Sequence, residues 1–129
     1  MAQNKTSLSA GQIIRVILLE DPNVSAITTN IFPVVVDKAV LPYVSYRRVG
    51  LTPTPAKAAP ANDEVDIEVL CYAPDYGSGV ALAEAVRGAL DGVQGSDGEL
   101  TMRSCYLNNA SEGYENDAHV QQLIFKVKI

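Results

Sequence analysis

The sequence predicts an α+β domain: a mostly antiparallel sheet of four or five strands with two helices packed on one face and a long Pro-rich hairpin arm. Three stretches carry that expectation. In EVDIEVLCY, residues 64–72, Val65, Ile67, Val69 and Cys71 alternate with Glu64, Asp66, Glu68 and Leu70, the period of a strand with one buried and one wetted face. In VALAEAVRGALDG, residues 80–92, Leu82, Ala85, Val86, Ala89 and Leu90 recur at three- and four-residue steps, the stripe of an amphipathic helix. In HVQQLIFKVKI, residues 119–129, Leu123, Phe125, Val127 and Ile129 alternate with Gln122, Ile124, Lys126 and Lys128.

The first predicted helix covers residues 7–20. Ala10, Ile13, Ile14, Ile17 and Leu18 fall on one face, Ser7 or Ser9 can cap the open N–H groups, and Pro22 stops the helix. A strand through IIRVILL is the rival, because its residues are β-branched and seven positions decide little about period. The Asp21-Pro22-Asn23 turn follows, then a short helical turn in NVSAIT, then an extended piece from Ile31 and Phe32 to Pro33. Pro42 stands at the entrance of a strand running from Tyr43 to Val49.

Residues 51–62, LTPTPAKAAPAN, contain three prolines and no apolar period, so neither a helix nor a central strand can form there. They predict a long, mobile arm joining two strands of a hairpin. Across its stem Arg47 and Arg48 are expected to approach Glu64 and Asp66. After the central strand, APDYGSG reads as a turn, and Gly92 stands where a helix C-cap glycine belongs. GVQGSDG leads flexibly into a strand, ELTMRSCYL, residues 99–107, and NNASEGYEND, residues 108–117, reads as a loop before the last strand. A strand at the end of the chain has to be tied into the sheet. Lys126 and Lys128 would sit well beside Glu64, Asp66 and Glu68, so the two strands are expected to be neighbours.

Composition narrows the function. At 129 residues the chain fits one domain, 1–129, and 47% apolar residues suffice for a single core. A net charge of −5 argues against sequence-specific nucleic-acid binding, which needs clustered Lys and Arg. No stretch is long and apolar enough for a signal peptide or a membrane span, which predicts no membrane partner and synthesis in the cytoplasm. Cys71 and Cys105 have no metal-ligand spacing and read as reduced core residues.

Candidate chemistry is thin. The single histidine, His119, begins a strand after a polar loop with no recognisable nucleophile beside it, so a strand-end role explains it better than catalysis. Glu112, Glu115 and Asp117 miss the calcium-loop spacing and read as a solvated loop. The glycines of DYGSG and GVQGSDG match no phosphate-binding pattern. No enzyme, cofactor or metal is expected.

The order of the pieces is more telling. A helix ending in a D-P-x-V turn, an I-x-P segment, LPYVSYRR, a variable arm, VDIEVLCYAPDYGSGVALAEAVRGAL and a charged final strand together resemble the tail-completion or tail-terminator family of long-tailed bacteriophages. The resemblance spans nearly the whole chain. It implies a structural protein, made in the bacterial host cytoplasm and placed in the virion tail-neck region. Such a protein closes into a hexameric ring on the tail tube, stops its growth and joins it to the head connector. Its implied partners are its own copies, the tube protein and the connector or head-completion protein. On that reading the arm and its base form the candidate assembly interface, with Arg47, Arg48, Thr52, Pro53, Pro55, Lys57 and Pro60 as the residues concerned. The other class left open by strand and helix count is a small cellular ligand-binding or regulatory module with a ferredoxin-like sheet.

Overall fold

The computed structural model describes residues 6–34, 40–53, 63–96 and 100–129. The central strand, β3 (Glu64–Ala73), lies in the middle of a five-stranded sheet because its alternation supplies one fully apolar face. Val65, Ile67, Val69, Cys71 and Ala73 are each fully buried. The sheet order is β1 (Ile31–Pro33), β2 (Tyr43–Thr52), β3, β7 (Ala118–Lys128), β6 (Ser104–Glu115). Among the described residues every pairing is antiparallel except β1 with β2. The final strand is therefore the neighbour of the acidic one, with Glu64 opposite Lys128 and Asp66 opposite Lys126.

Two main helices cover the apolar face, with a short third beside them. The stretch IIRVILL is helical: α1 (Ala10–Glu20) follows a 3-10 turn, Ser7–Ser9, whose N-cap is Thr6. Thr6 accepts from the Leu8 N–H, so the cap stands one residue before the serines expected to serve. Ile13, Ile14 and Leu18 are fully buried. Pro22 does not merely stop this helix. It occupies the first turn of α2 (Pro22–Ser25), where its missing N–H costs nothing, and the Asp21 carboxylate accepts from the Asn23 and Val24 N–H groups.

The helix α3 (Tyr76–Leu90) begins four residues earlier than the apolar stripe suggests, so DYGSG is the first turn of a helix. Asp75 caps it, accepting from the Ser78 N–H at 2.8 Å and from the Ser78 hydroxyl at 2.9 Å. That double acceptance holds the carboxyl below its ordinary range. At the other end Gly92 adopts φ +80, the left-handed conformation that ends helices, and its N–H donates to the Cys105 carbonyl at 2.6 Å. α3 carries the chain from β3 to β6, which run parallel with β7 inserted between them.

GVQGSDG and ELTMRSCYL depart from expectation. A separate two-stranded ribbon, β4 (Gly95–Ser96) with β5 (Thr101–Met102), precedes β6. Gly95 lies so close to α1 that an added Cβ would stand 2.9 Å from Ile17 Cδ1. The largest correction concerns NNASEGYEND. It is no loop, because β6 continues through it to Glu115 and only Asn116 and Asp117, both at positive φ, form the turn into β7. Both sides of this distal half face solvent, so no alternation marks it.

The core joins Ile13, Ile14 and Leu18 of α1, Leu82, Val86 and Leu90 of α3, and Val65, Ile67, Phe125 and Val127 of the sheet. Each such side chain removed from water contributes about 1.5–3 kcal/mol. Cys71 and Cys105 are free and buried within it, and burial pushes both thiols up to about 12.

Candidate functional site

The residues expected at an assembly surface lie on β2, where that strand leaves the core. Pleating sends successive side chains to opposite faces. Arg47 lies on the face away from the helices and donates through Nε to Glu68 Oε1 at 2.8 Å. Arg48 lies on the helix side, where Nη1 donates to the Leu8 carbonyl at 2.9 Å. A bulge between Arg48 and Gly50 then places Gly50 opposite Asp66 and Thr52 opposite Glu64. Thr52 and Pro53 are exposed, and the described part of the arm ends at Pro53. Pro55, Lys57 and Pro60 lie outside the described residues.

This geometry corrects the expected stem pairing. Arg47 and Arg48 do not approach Glu64 and Asp66. Arg47 meets Glu68, and the bulge withdraws the rest of the strand. The cations opposite Glu64 and Asp66 belong to β7: Lys126 Nζ lies 3.9 Å from Glu64 and 3.6 Å from Asp66, and Lys128 Nζ lies 3.6 Å from Glu64. The acidic row is thus flanked by Arg47 on one side and by the two lysines on the other. Glu68 is not wetted as its alternation suggests. Its side chain is only 7% exposed, covered by Arg47 and by Gln122, whose Nε2 donates to the second carboxylate oxygen.

The same uncovered face carries aromatic rings that the sequence reading did not single out. Phe32, Tyr43 and Tyr72 run across β1, β2 and β3. The Tyr43 and Tyr72 rings stack at 4.5 Å and 14°, and Phe32 tilts against Tyr43 at 6.4 Å. The Tyr72 hydroxyl donates to Glu115 at 3.4 Å. Burial, aided by the Glu115 charge, pushes its phenol up to about 12. The register could have revealed the ladder, since Tyr43 and Tyr72 are direct partners, but register depends on where the bulge falls.

At the distal end of the β6–β7 hairpin, Glu112 accepts from the Tyr76 hydroxyl at 2.9 Å and from Gln121 Nε2 at 3.0 Å, and these bonds hold its carboxyl below the ordinary range. His119 lies beneath, with the Tyr114 ring at 5.0 Å and the Tyr76 ring at 6.2 Å, both edge-on. This is a packing role at the mouth of α3. Between α1 and the β1–β2 edge runs an open groove of roughly 510 Å³ lined by Leu8, Gly11, Val34, Tyr46 and Arg48 among others. Among the described residues no group of three or more His, Cys, Asp or Glu could hold a metal ion, and no helix is long and apolar enough to cross a membrane.

The surface so described is one of strand edges, paired charges and exposed rings, a set suited to contact with other chains. Comparison with known proteins agrees in kind. No curated protein sequence matches the chain. A chain from the virion of a native gene transfer agent particle has a similar structure, with a TM-score of 0.81 over 96% of this chain and 98% of that one. At 17% identity that likeness establishes the fold. The family model described as tail completion protein gp17 matches residues 12–129. It covers α1 from Gln12 and every described strand and helix after it, and it displaces the reading as a small cellular module. The chain belongs to the tail completion protein gp17 family and is a phage tail structural protein.

Proposed function

We propose that the protein closes into a ring on the end of the phage tail tube, stops tube growth and presents a surface to the head connector. The observation that carries this reading is the family match over residues 12–129, joined to a protomer that exposes strand edges, paired charges and aromatic rings among the described residues. Its place is the tail-neck region of the virion, reached after synthesis in the host cytoplasm. Its partners are further copies of itself, up to a hexamer, together with the tube protein and the connector. The arm, 51–62, and its base at Arg47, Arg48, Thr52 and Pro53 reach a neighbouring protomer or the tube, as head-to-tail rings commonly use such hairpin loops. Pro55, Lys57 and Pro60 belong to the same contact.

A net charge of −5 on each copy suits a ring through which DNA passes, because an acidic wall repels phosphate and offers it no counterion exchange. No chemistry is assigned to His119 or to the cysteines.

The test is direct imaging. Purified protein added to tail tubes and viewed by electron microscopy is expected to form a ring at one tube end and to prevent further addition of tube subunits. Binding along the tube wall, or continued growth of saturated tubes, would contradict the proposal.

A further inference from the structure

We propose that the ring interface is an edge-to-edge contact in which the acidic distal half of β6 from one copy seats on the basic open edge of β2 from the next. The proposal rests on the ring reading above and names the surfaces that make it.

Both outer strands of the sheet have an unpaired stretch. β6 is an edge strand, and its proximal end is closed off by the turn after α3: the Cys105 carbonyl accepts from the Gly92 N–H, and the Leu107 N–H donates to Asp91 Oδ1 at 3.0 Å. From Asn109 to Glu115 no strand pairs with its outer side among the described residues. On the opposite edge β1 covers only Val44 to Tyr46 of β2, and the Val34 N–H donates to the Tyr46 carbonyl. From Arg47 to Thr52 the outer side of β2 likewise has no strand partner among the described residues. Such open main-chain edges are templates for another strand.

The side chains agree in sign and in face. On β6, Glu112 and Tyr114 point to the helix side and Glu115 to the other side, as their partners Gln121, His119 and Ala118 show. Among the described residues no basic side chain forms an ion pair with Glu112 or Glu115. On β2, Arg48 is on the helix side and Arg47 on the other. A continuous sheet would therefore bring Glu112 toward Arg48 and Glu115 toward Arg47. Tyr114, 62% exposed, would come beside Leu8 and Val34, which are 61% and 56% exposed at the groove. Opposite charges at such an edge also set which end of one copy meets which end of the next, as a head-to-tail ring requires.

The two open stretches are not level. Through the ladder Glu112 stands opposite Gln121, Gln121 opposite Cys71 and Cys71 opposite Val44, whereas Arg48, the residue it is to meet, stands opposite Ile67. Cys71 and Ile67 are four residues apart, an offset of about 14 Å at roughly 3.4 Å per residue, against a width of about 24 Å for five strands. Joining edges with that offset in a closed ring requires a strand tilt of about 30°, a little below the roughly 35–45° typical of closed sheets. Within one sheet β6 runs antiparallel to β2, so the joined edges would be antiparallel too.

The experiment uses the full chain on tail tubes, counting capped ends by electron microscopy. Arg48→Glu and Glu112→Arg alone should each lower the fraction of capped ends about tenfold. The two together in one chain should restore it to within about threefold of the native value, since every interface regains an opposite pair. Tyr114→Ala, which changes no charge, should also reduce capping. Circular dichroism melting confirms that each variant folds. Single reversals that cap normally, or a combined variant as defective as the singles, would overturn the edge pairing while leaving the ring reading intact. A native chain that forms no ring on tubes would contradict both.

Discussion

The two faces of the sheet show how differently one set of strands can be used. Toward the helices the strands present Val65, Ile67, Val69, Phe125 and Val127, all fully buried. Toward solvent they present Glu64, Asp66 and Glu68 between Arg47 and the two lysines, with the stacked Tyr43 and Tyr72 beyond. The first face determines whether the chain folds. The second carries paired charges and stacked rings, and the contacts proposed above lie at its two edges.

That division predicts a graded response to mutation. The largest effect falls on the core: Val69→Asp buries a charge with no partner in the central strand, costs about 4 kcal/mol or more, and should abolish the cooperative melting transition. Next comes the one place where the outer face is buried. Arg47→Ala leaves the Glu68 carboxylate covered and short of its cation, at a cost of about 1–3 kcal/mol, seen as a lowered midpoint in urea. Lys126→Ala or Lys128→Ala, by contrast, removes half-exposed pairs at 3.6–3.9 Å and should shift stability by less than about 0.5 kcal/mol. If the lysine variants proved as damaging as Arg47→Ala, the outer face would be a second core and the distinction would fail.

The cysteines sharpen the same comparison chemically. With thiols pushed up to about 12, roughly one in ten thousand would be ionised at pH 8, and both are buried. A thiol reagent at pH 8 should label neither in the native protein and both in denaturant. Fast native labelling of Cys105 would show that the β6 side of the core opens readily.

What was legible in the sequence follows from the same contrast. Strand β3 and helix α3 could be read because each has one buried side, and burial writes a period into the residues. The neighbouring of β3 and β7 could be read because Lys126 and Lys128 answer Glu64 and Asp66. The distal half of β6 could not, since it has run past the helices and has no buried side, so Asn109 to Glu115 carry no alternation. The face of Arg48 relative to Glu64 and Asp66 cannot be read from the sequence, because a one-residue bulge reverses which face a side chain takes, and nothing local in RRVGL announces it. Alternation alone puts Glu68 on the wetted face, because its cover, Gln122, arrives from a strand more than fifty residues away. The candidate assembly residues Arg47, Arg48, Thr52 and Pro53 are proposed from the arm they border. Their proposed counterparts Glu112, Tyr114 and Glu115 needed the sheet order.

The separation of folding from assembly is tested most directly by deleting residues 52–61 and measuring capping of tail tubes by a variant whose melting temperature is known. Leu51 and Asn62 would then close a short hairpin between strands already paired, so the melting temperature should stay within a few degrees of native. Capped ends should be lost. Severe unfolding would show that the arm belongs to the core, and normal capping would show that assembly does not use it.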